Sequence, residues 1–311
     1  MSVLVHVNPL PAAGIGDLVS KNICTKALVL LAVFACATSA SAQSVPNESI
    51  GTPEGSSSTL SASELAKEIT NPVTSLWQLQ LQSNNVELES GESLNALYFQ
   101  PVLPVSLNDR MNLITRPVIN LYERVPRLSA TGGIEHTTAF GDMIVAQVLS
   151  PVGKEPWIFG AGVTWILPTA GSDLTGQGKW QLGPAIGGGY ITNKFMIAAL
   201  LQQWSSIGGD EDRPDTSQMN LLPLIYRYFG KGWSVGYSGS ILADFKAPHD
   251  EAWTVPIGVS VGKIVMVGKL PMQVQFAYQH FAERPTGGPK WNVQLQVTPV
   301  IPRLINKPLF Q

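Results

Sequence analysis

Cysteine is almost missing from this sequence, and both examples, Cys24 and Cys36, fall near its start. Charge is scarce too: 14% of the 311 residues are charged and the net charge is −2. No strong field therefore points toward nucleic acid. Histidine occurs four times, scattered, without the clustered His or Cys ligands that a zinc site needs. Long apolar runs are absent as well. The stretch "ALVLLAVFACA" (Ala27–Ala37) has 11 residues, whereas a spanning helix needs about 20. Beyond Pro72 no stretch of useful length carries the helical period.

What is present at the start resembles an export signal. Lys21 and Lys26 precede the apolar run, and "ASAQ" (Ala40–Gln43) offers small residues for cleavage between Ala42 and Gln43. Residues 1–42 are thus expected to be removed, leaving a mature chain without thiols or disulfides. Residues 43–72 form an N-terminal segment. It is rich in Ser, Thr, Pro, Gly and Glu and carries one short helix, "SASELAKEIT" (Ser61–Thr70). Ser61 is placed to cap that helix, with Glu64 completing a capping box.

Residues 73–301 read as strands. About twelve segments, each of roughly ten residues, begin near Ser75, Leu94, Met111, Thr138, Trp157, Lys179, Phe195, Gln218, Trp233, Trp253, Leu270 and Trp291. Short turns ("SLNDR", "TNK", "GKG") alternate with long polar loops such as "PTAGSDLTGQGK" and "SSIGGDEDRPDT". That asymmetry and an even strand count predict an all-β, antiparallel transmembrane β-barrel. Residues 302–311 form a C-terminal tail.

The strands have two unlike faces. Trp157, Phe159, Ala161, Val163 and Trp165 share one side, with Gly160, Gly162 and Thr164 on the other. Trp at the starts of several strands predicts an aromatic girdle, so the bulky face points outward to lipid. Closure then brings the last strand beside the first. Gln78, Gln80 and Gln82 are expected next to Asn292, Gln294 and Gln296, with Gln273, Gln275 and Gln279 on the following strand. Arg116 and Asp244 are further expected lumen residues. Three segments, "AFGDMIVAQVL", "FMIAALLQQW" and "MNLLPLIYRYF", are apolar on both faces. A plug covering their inner side would account for them, and the Ser61–Thr70 helix is the candidate.

No catalytic residue is expected. A lipid hydrolase would need a serine near an oriented histidine, and the same-face neighbours of His280 are Tyr278 and Ala282. "GPAIGGGY" and "GVSVGK" lack phosphate-loop spacing, and the acidic loop "GGDEDRPD" lacks the ligand order of a calcium loop. No metal or cofactor is implied.

Five stretches in order are similar to a family of bacterial outer-membrane proteins. They are "ELAKEITNPVTSLWQLQLQSNN" (Glu64–Asn85), "LYFQPVLPVSLNDRMNLITRPVI" (Leu97–Ile119), "GKWQLGPA" (Gly178–Ala185), "WTVPIGVSVGK" (Trp253–Lys263) and "RPTGGPKWNVQLQV" (Arg284–Val297). The family is the phenol-degradation MetA-pathway family, often mislabelled "neuromedin U". The resemblance implies a single outer-membrane barrel of transport type in a Gram-negative cell envelope, without specifying a solute. The expected partners are outer-membrane lipids, lipopolysaccharide and the barrel-assembly machinery. The expected function is a passive channel or transporter for small solutes. A plugged structural or surface-binding barrel is the alternative, and a membrane-embedded lipid hydrolase is disfavoured.

Overall fold

The computed structural model describes residues 60–301, except 130–131, 154–155 and 269, together with 305, 308 and 309. The signal segment and its Ala42–Gln43 cleavage position lie outside the described residues, as does most of the tail.

One helix, α1 (Ala62–Thr70), precedes the strands. Its capping box closes as the side chains dictate: the Ser61 backbone N–H donates to Glu64 Oε2 at 2.8 Å, and the Glu64 N–H donates to Ser61 Oγ at 3.2 Å. The strand segments begin with β1 (Trp77–Leu88), β2 (Ser93–Asn108), β3 (Met111–Leu128), β4 (Ile134–Phe140) and β5 (Met143–Pro151). Next come β6 (Trp157–Leu167), β7 (Lys179–Ile191), β8 (Phe195–Gly209), β9 (Ser217–Phe229), β10 (Trp233–Tyr237) and β11 (Ile241–Asp244). The last three are β12 (Trp253–Val267), β13 (Leu270–Glu283) and β14 (Pro289–Ile301).

These segments form a closed antiparallel barrel of twelve strands. Two of the twelve are each built in two pieces. β4 and β5 both pair with β3, on either side of a break at Gly141–Asp142. β10 and β11 both pair with β9 and β12, on either side of Ser238–Gly239–Ser240. Alternation survives across Ser238–Gly239–Ser240, so the sequence pattern treats β10 and β11 as one continuous strand. Across Gly141–Asp142 it slips by one residue, from Phe140 facing outward to Ile144 facing inward. The seam joins β1 to β14, from Trp77 opposite Ile301 to Leu88 opposite Pro289. No open sheet edge remains, as an apolar surrounding requires.

The two faces differ as the alternation demands. On β12, Trp253, Ile257, Val259 and Val261 are exposed on the outside, while Thr254 and Ser260 are buried within. Exposed aromatics gather at both ends. Trp157, Phe229 and Trp233 lie at the short-turn end, where Trp157 meets Tyr190 edge-on at 5.0 Å. Phe140, Trp180, Phe245 and Trp253 mark the long-loop end. An apolar band between aromatic rims is the surface of a transmembrane barrel.

Candidate functional site: an amide-walled lumen

The lumen has two unlike sides, and each follows from strand parity. On the apolar side, Ile191, Met196, Ala198, Leu200, Leu222 and Leu224 of β7, β8 and β9 point inward. Bare, they would expose hydrocarbon to water. Helix α1 covers part of this surface with Leu65, Ala66 and Ile69, each at most 3% exposed. This is why β8 and β9 are apolar on both faces. Polar contacts hold the helix at the short-turn end. Lys67 Nζ donates to Asn193 Oδ1 at 3.4 Å, Ser63 Oγ donates to the Phe229 carbonyl at 3.3 Å, and the Thr70 and Tyr228 hydroxyls lie 2.6 Å apart. The β9–β10 turn beneath it requires Gly232, whose φ of 77° is left-handed and whose Cβ position lies 2.8 Å from Ile264 Cβ.

The opposite side is made of side-chain amides. Gln82 faces Gln296 across the seam, Asn84 faces Gln294, and Val86 faces Asn292. Gln275 then faces Gln296, and Gln279 faces Asn292. The register corrects the sequence expectation. Gln78 lies opposite Val300, and the pairing of Leu81 with Val297 puts Gln80 past Gln296 too, so of the three β1 glutamines only Gln82 meets an amide across the seam. Asn84 and Gln100, not among the expected lumen residues, also belong to the wall. Their signal was available in the parity of Gln82 with Asn84 on β1 and of Tyr98 with Gln100 on β2.

Arg116 organises this wall. Its Nη2 donates to Gln80 Oε1 at 3.1 Å and to Gln100 Oε1 at 2.8 Å. A guanidinium has only donors, so both amides must turn their oxygens toward it. The orientation then propagates. Gln100 Nε2 donates to Gln82 Oε1 at 3.1 Å, and Gln82 Nε2 donates to Asn84 Oδ1 at 2.9 Å. On the other branch Gln80 Nε2 donates to Gln78 Oε1, and Gln78 Nε2 donates to the Glu68 carbonyl of the helix, each at 3.3 Å.

Between the two sides lies a cavity of 1120 Å³. All eleven lumen residues read from the sequence line it: Gln78, Gln80, Gln82, Arg116, Asp244, Gln273, Gln275, Gln279, Asn292, Gln294 and Gln296. Asp244 sits apart from the wall at the long-loop end, where its Oδ1 accepts from the Lys246 N–H at 2.9 Å.

That end is narrowed by the loop joining β6 to β7, which in the sequence has only the polar composition of an outer loop. The Asp142 carboxylate accepts from the Gln177 N–H at 2.7 Å and the Ala170 N–H at 3.1 Å. Arg213 Nη2 donates to the carbonyls of Gly176 at 2.7 Å and Asp173 at 3.1 Å. Leu174 packs against the inward cluster of Leu94, Tyr98 and Tyr122. The loop is thus drawn into the mouth. Arg213 belongs to the stretch "GGDEDRPD", whose role here is to pin this loop.

The histidines are dispersed. His136 lies in β4, 3.2 Å from Glu92 Oε2; His249 is in the β11–β12 turn, and His280 is exposed on the outer face. Among the described residues no group of three or more His, Cys, Asp or Glu side chains could hold a metal ion.

Fold and lumen together define a closed transmembrane β-barrel with a partly obstructed interior. An outer membrane channel from Pseudomonas putida F1 has the same architecture, with a TM-score of 0.53 over 83% of this chain and 100% of that one, at 15% identity. A NanC porin matches at TM-score 0.45 and 5% identity, covering 73% of this chain and 99% of its own. A bacterial polysaccharide outer membrane secretin matches at 0.35 and 11%, covering 73% and 98%. Of these three, the first establishes a likeness of fold. No family model and no curated protein matches the chain.

Proposed function

We propose that this protein is an outer-membrane channel that passes small solutes along the amide wall, with α1 and the β6–β7 loop as its obstructions. The observation that carries this reading is the cavity itself. It runs from Thr70 and Asn71 beside the helix to Asp212 and Thr286 in the outer loops. A barrel with only a structural role has no need of an interior space lined by oriented amides. The fold shared with the Pseudomonas putida channel supports the reading, as does the resemblance to the phenol-degradation MetA-pathway family. In this orientation the short turns and α1 face the periplasm, and the long loops face outside.

The lipid-hydrolase alternative finds no support at His280, whose position on the outer face has no serine at the neighbouring same-face positions. A plugged structural barrel remains the competing outcome. Planar-bilayer recordings on the full mature chain separate the two. Discrete unitary conductance steps are expected, and a folded protein that inserts without any conductance would overturn the channel reading.

A further inference from the structure

Arg116 has a feature that lining a pore does not require. Its Nη2 is engaged by two amide oxygens, but among the described residues neither Nε nor Nη1 has an acceptor. No carboxylate among the described residues forms an ion pair with it. The described ion pairs lie elsewhere, in the loops and at strand ends. The nearest helix carboxylate on the chain of contacts, that of Glu68, accepts from Thr74 Oγ1 at 3.0 Å. The amide wall solvates one edge of the guanidinium without neutralising it. A cation held within a protein wall and left uncompensated is costly, and it is satisfied by an anion.

Its surroundings specify more. The other charged residues lining the cavity belong to the mouth: Asp173, Asp212, Asp215, Asp244 and Glu251 among the acids, Arg213 and Lys246 among the bases. The mouth is therefore acidic, but Asp173, Asp212 and Asp215 are solvent-facing; the Asp215 side chain is 73% exposed and already meets Lys179 at 3.4 Å. Such charges are screened over about 8 Å at physiological salt, whereas a charge in the wall is screened far less. Facing the amide wall, the same cavity is lined by Leu222, Leu224 and Tyr226 of β9. A solute lying there would meet a fixed cation on one side and hydrocarbon on the other.

We infer that Arg116 is the anchor of a binding site for small organic carboxylates with an apolar body, held between the guanidinium and the apolar side of the lumen. The inference deepens the channel reading and rests on the same lumen, but binding is separable from conduction. Arg116 supplies a charge-assisted, geometrically directed contact that lysine would reproduce only in part.

Calorimetric titration of the full chain in detergent with hexanoate, hexylammonium, 1-hexanol and inorganic phosphate tests it. Wild type should bind hexanoate at least tenfold more tightly than any of the other three. Arg116→Gln should abolish that preference, and Arg116→Lys should retain part of it. Equal binding of hexanoate and hexylammonium by the wild type overturns the site without recourse to any variant, should the substitutions fail to fold. Equal binding of phosphate overturns the apolar part of the assignment, and unchanged hexanoate affinity in folded Arg116→Gln overturns the role of Arg116. Hexanoate binding in a protein that never conducts would keep the site and remove the channel. Conductance without Arg116-dependent binding would do the reverse.

Discussion

Leu65→Ala is the perturbation that most directly weighs the obstruction inside the barrel. Leu65 is 2% exposed and packs, with Ala66 and Ile69, against inward residues of β6 to β9. Truncating a buried leucine to alanine costs about 2–5 kcal/mol, the transfer of the lost carbons plus the cavity left behind. Almost all of that loss falls on the docked helix, since an undocked α1 would hold residue 65 in water. The barrel has its own ladder of strand pairings and does not depend on this contact to close. At 1.4 kcal/mol per factor of ten, the ratio of docked to undocked helix should fall roughly 30-fold to 4000-fold. A nine-residue helix lacks the length to persist alone in water, so release and melting should coincide. In single-channel recordings the expected result is a larger share of time at a higher conductance level. Glu64→Ala, which loses only the capping box, should produce a smaller shift, consistent with about 0.5–2 kcal/mol. If Leu65→Ala folds normally and its conductance matches wild type at every level, α1 does not control the passage and the reasoning fails.

Three further outcomes are expected. Leu295→Arg should impair assembly, because a charge on the lipid-facing side near mid-membrane costs about 2–4 kcal/mol, whereas Gln294→Arg should leave the barrel folded; a gel-shift folding assay giving the reverse ranking would mean the faces are inverted. An epitope inserted after Gly209 should be reached by antibody on intact cells, and one at Asn193 should not, with equal labelling of both contradicting the orientation. The outer loops should loosen in acid. The Gly287 N–H, at 3.0 Å and aided by Arg284, holds the Glu89 carboxyl below its usual range, and the Thr286 hydroxyl and N–H do the same for Glu251. Because both pKa values are lowered in the latched state, the stabilisation is present above the ordinary Glu value of about 4.3 and is lost as pH falls through the lowered values. Open-channel noise should therefore rise in that window, and Glu89→Gln should raise it at neutral pH; a flat profile in both would refute the latch.

The barrel was legible in the sequence because period-two alternation is a local signal, and twelve strands repeat it. The starts expected at Met111, Trp157, Lys179, Phe195, Trp233, Trp253 and Leu270 coincide with those of the structure, and an aromatic or charged residue marks five of the seven. What stayed hidden depends on contacts distant in sequence. The break at Ser238–Gly239–Ser240 preserves parity and leaves no trace in the pattern, whereas the one-residue slip at Gly141–Asp142 is masked because β5 carries apolar residues on both faces. The inward fold of the β6–β7 loop depends on Asp142 and Arg213, residues separated by four strands. The register of Gln82 against Gln296 could be bracketed but not fixed, because a shift of two residues keeps every side chain on the same face. Arg116 stood out as a lumen residue. Its engagement by Gln80 and Gln100 became readable only once three strands were side by side.

The helix is joined to β1 by a connector of six residues, Asn71 to Leu76. Fully extended, such a leash reaches only about 20 Å. An undocked α1 therefore cannot diffuse away, and it searches for its seat from within a volume that corresponds to a millimolar local concentration. Opening is a unimolecular event, insensitive to how dilute the protein is. A free peptide with the sequence of Ser61–Thr70 would need to approach that same concentration before it could compete for the seat. Lengthening the leash with glycine and serine would dilute the stopper without touching a single contact it makes.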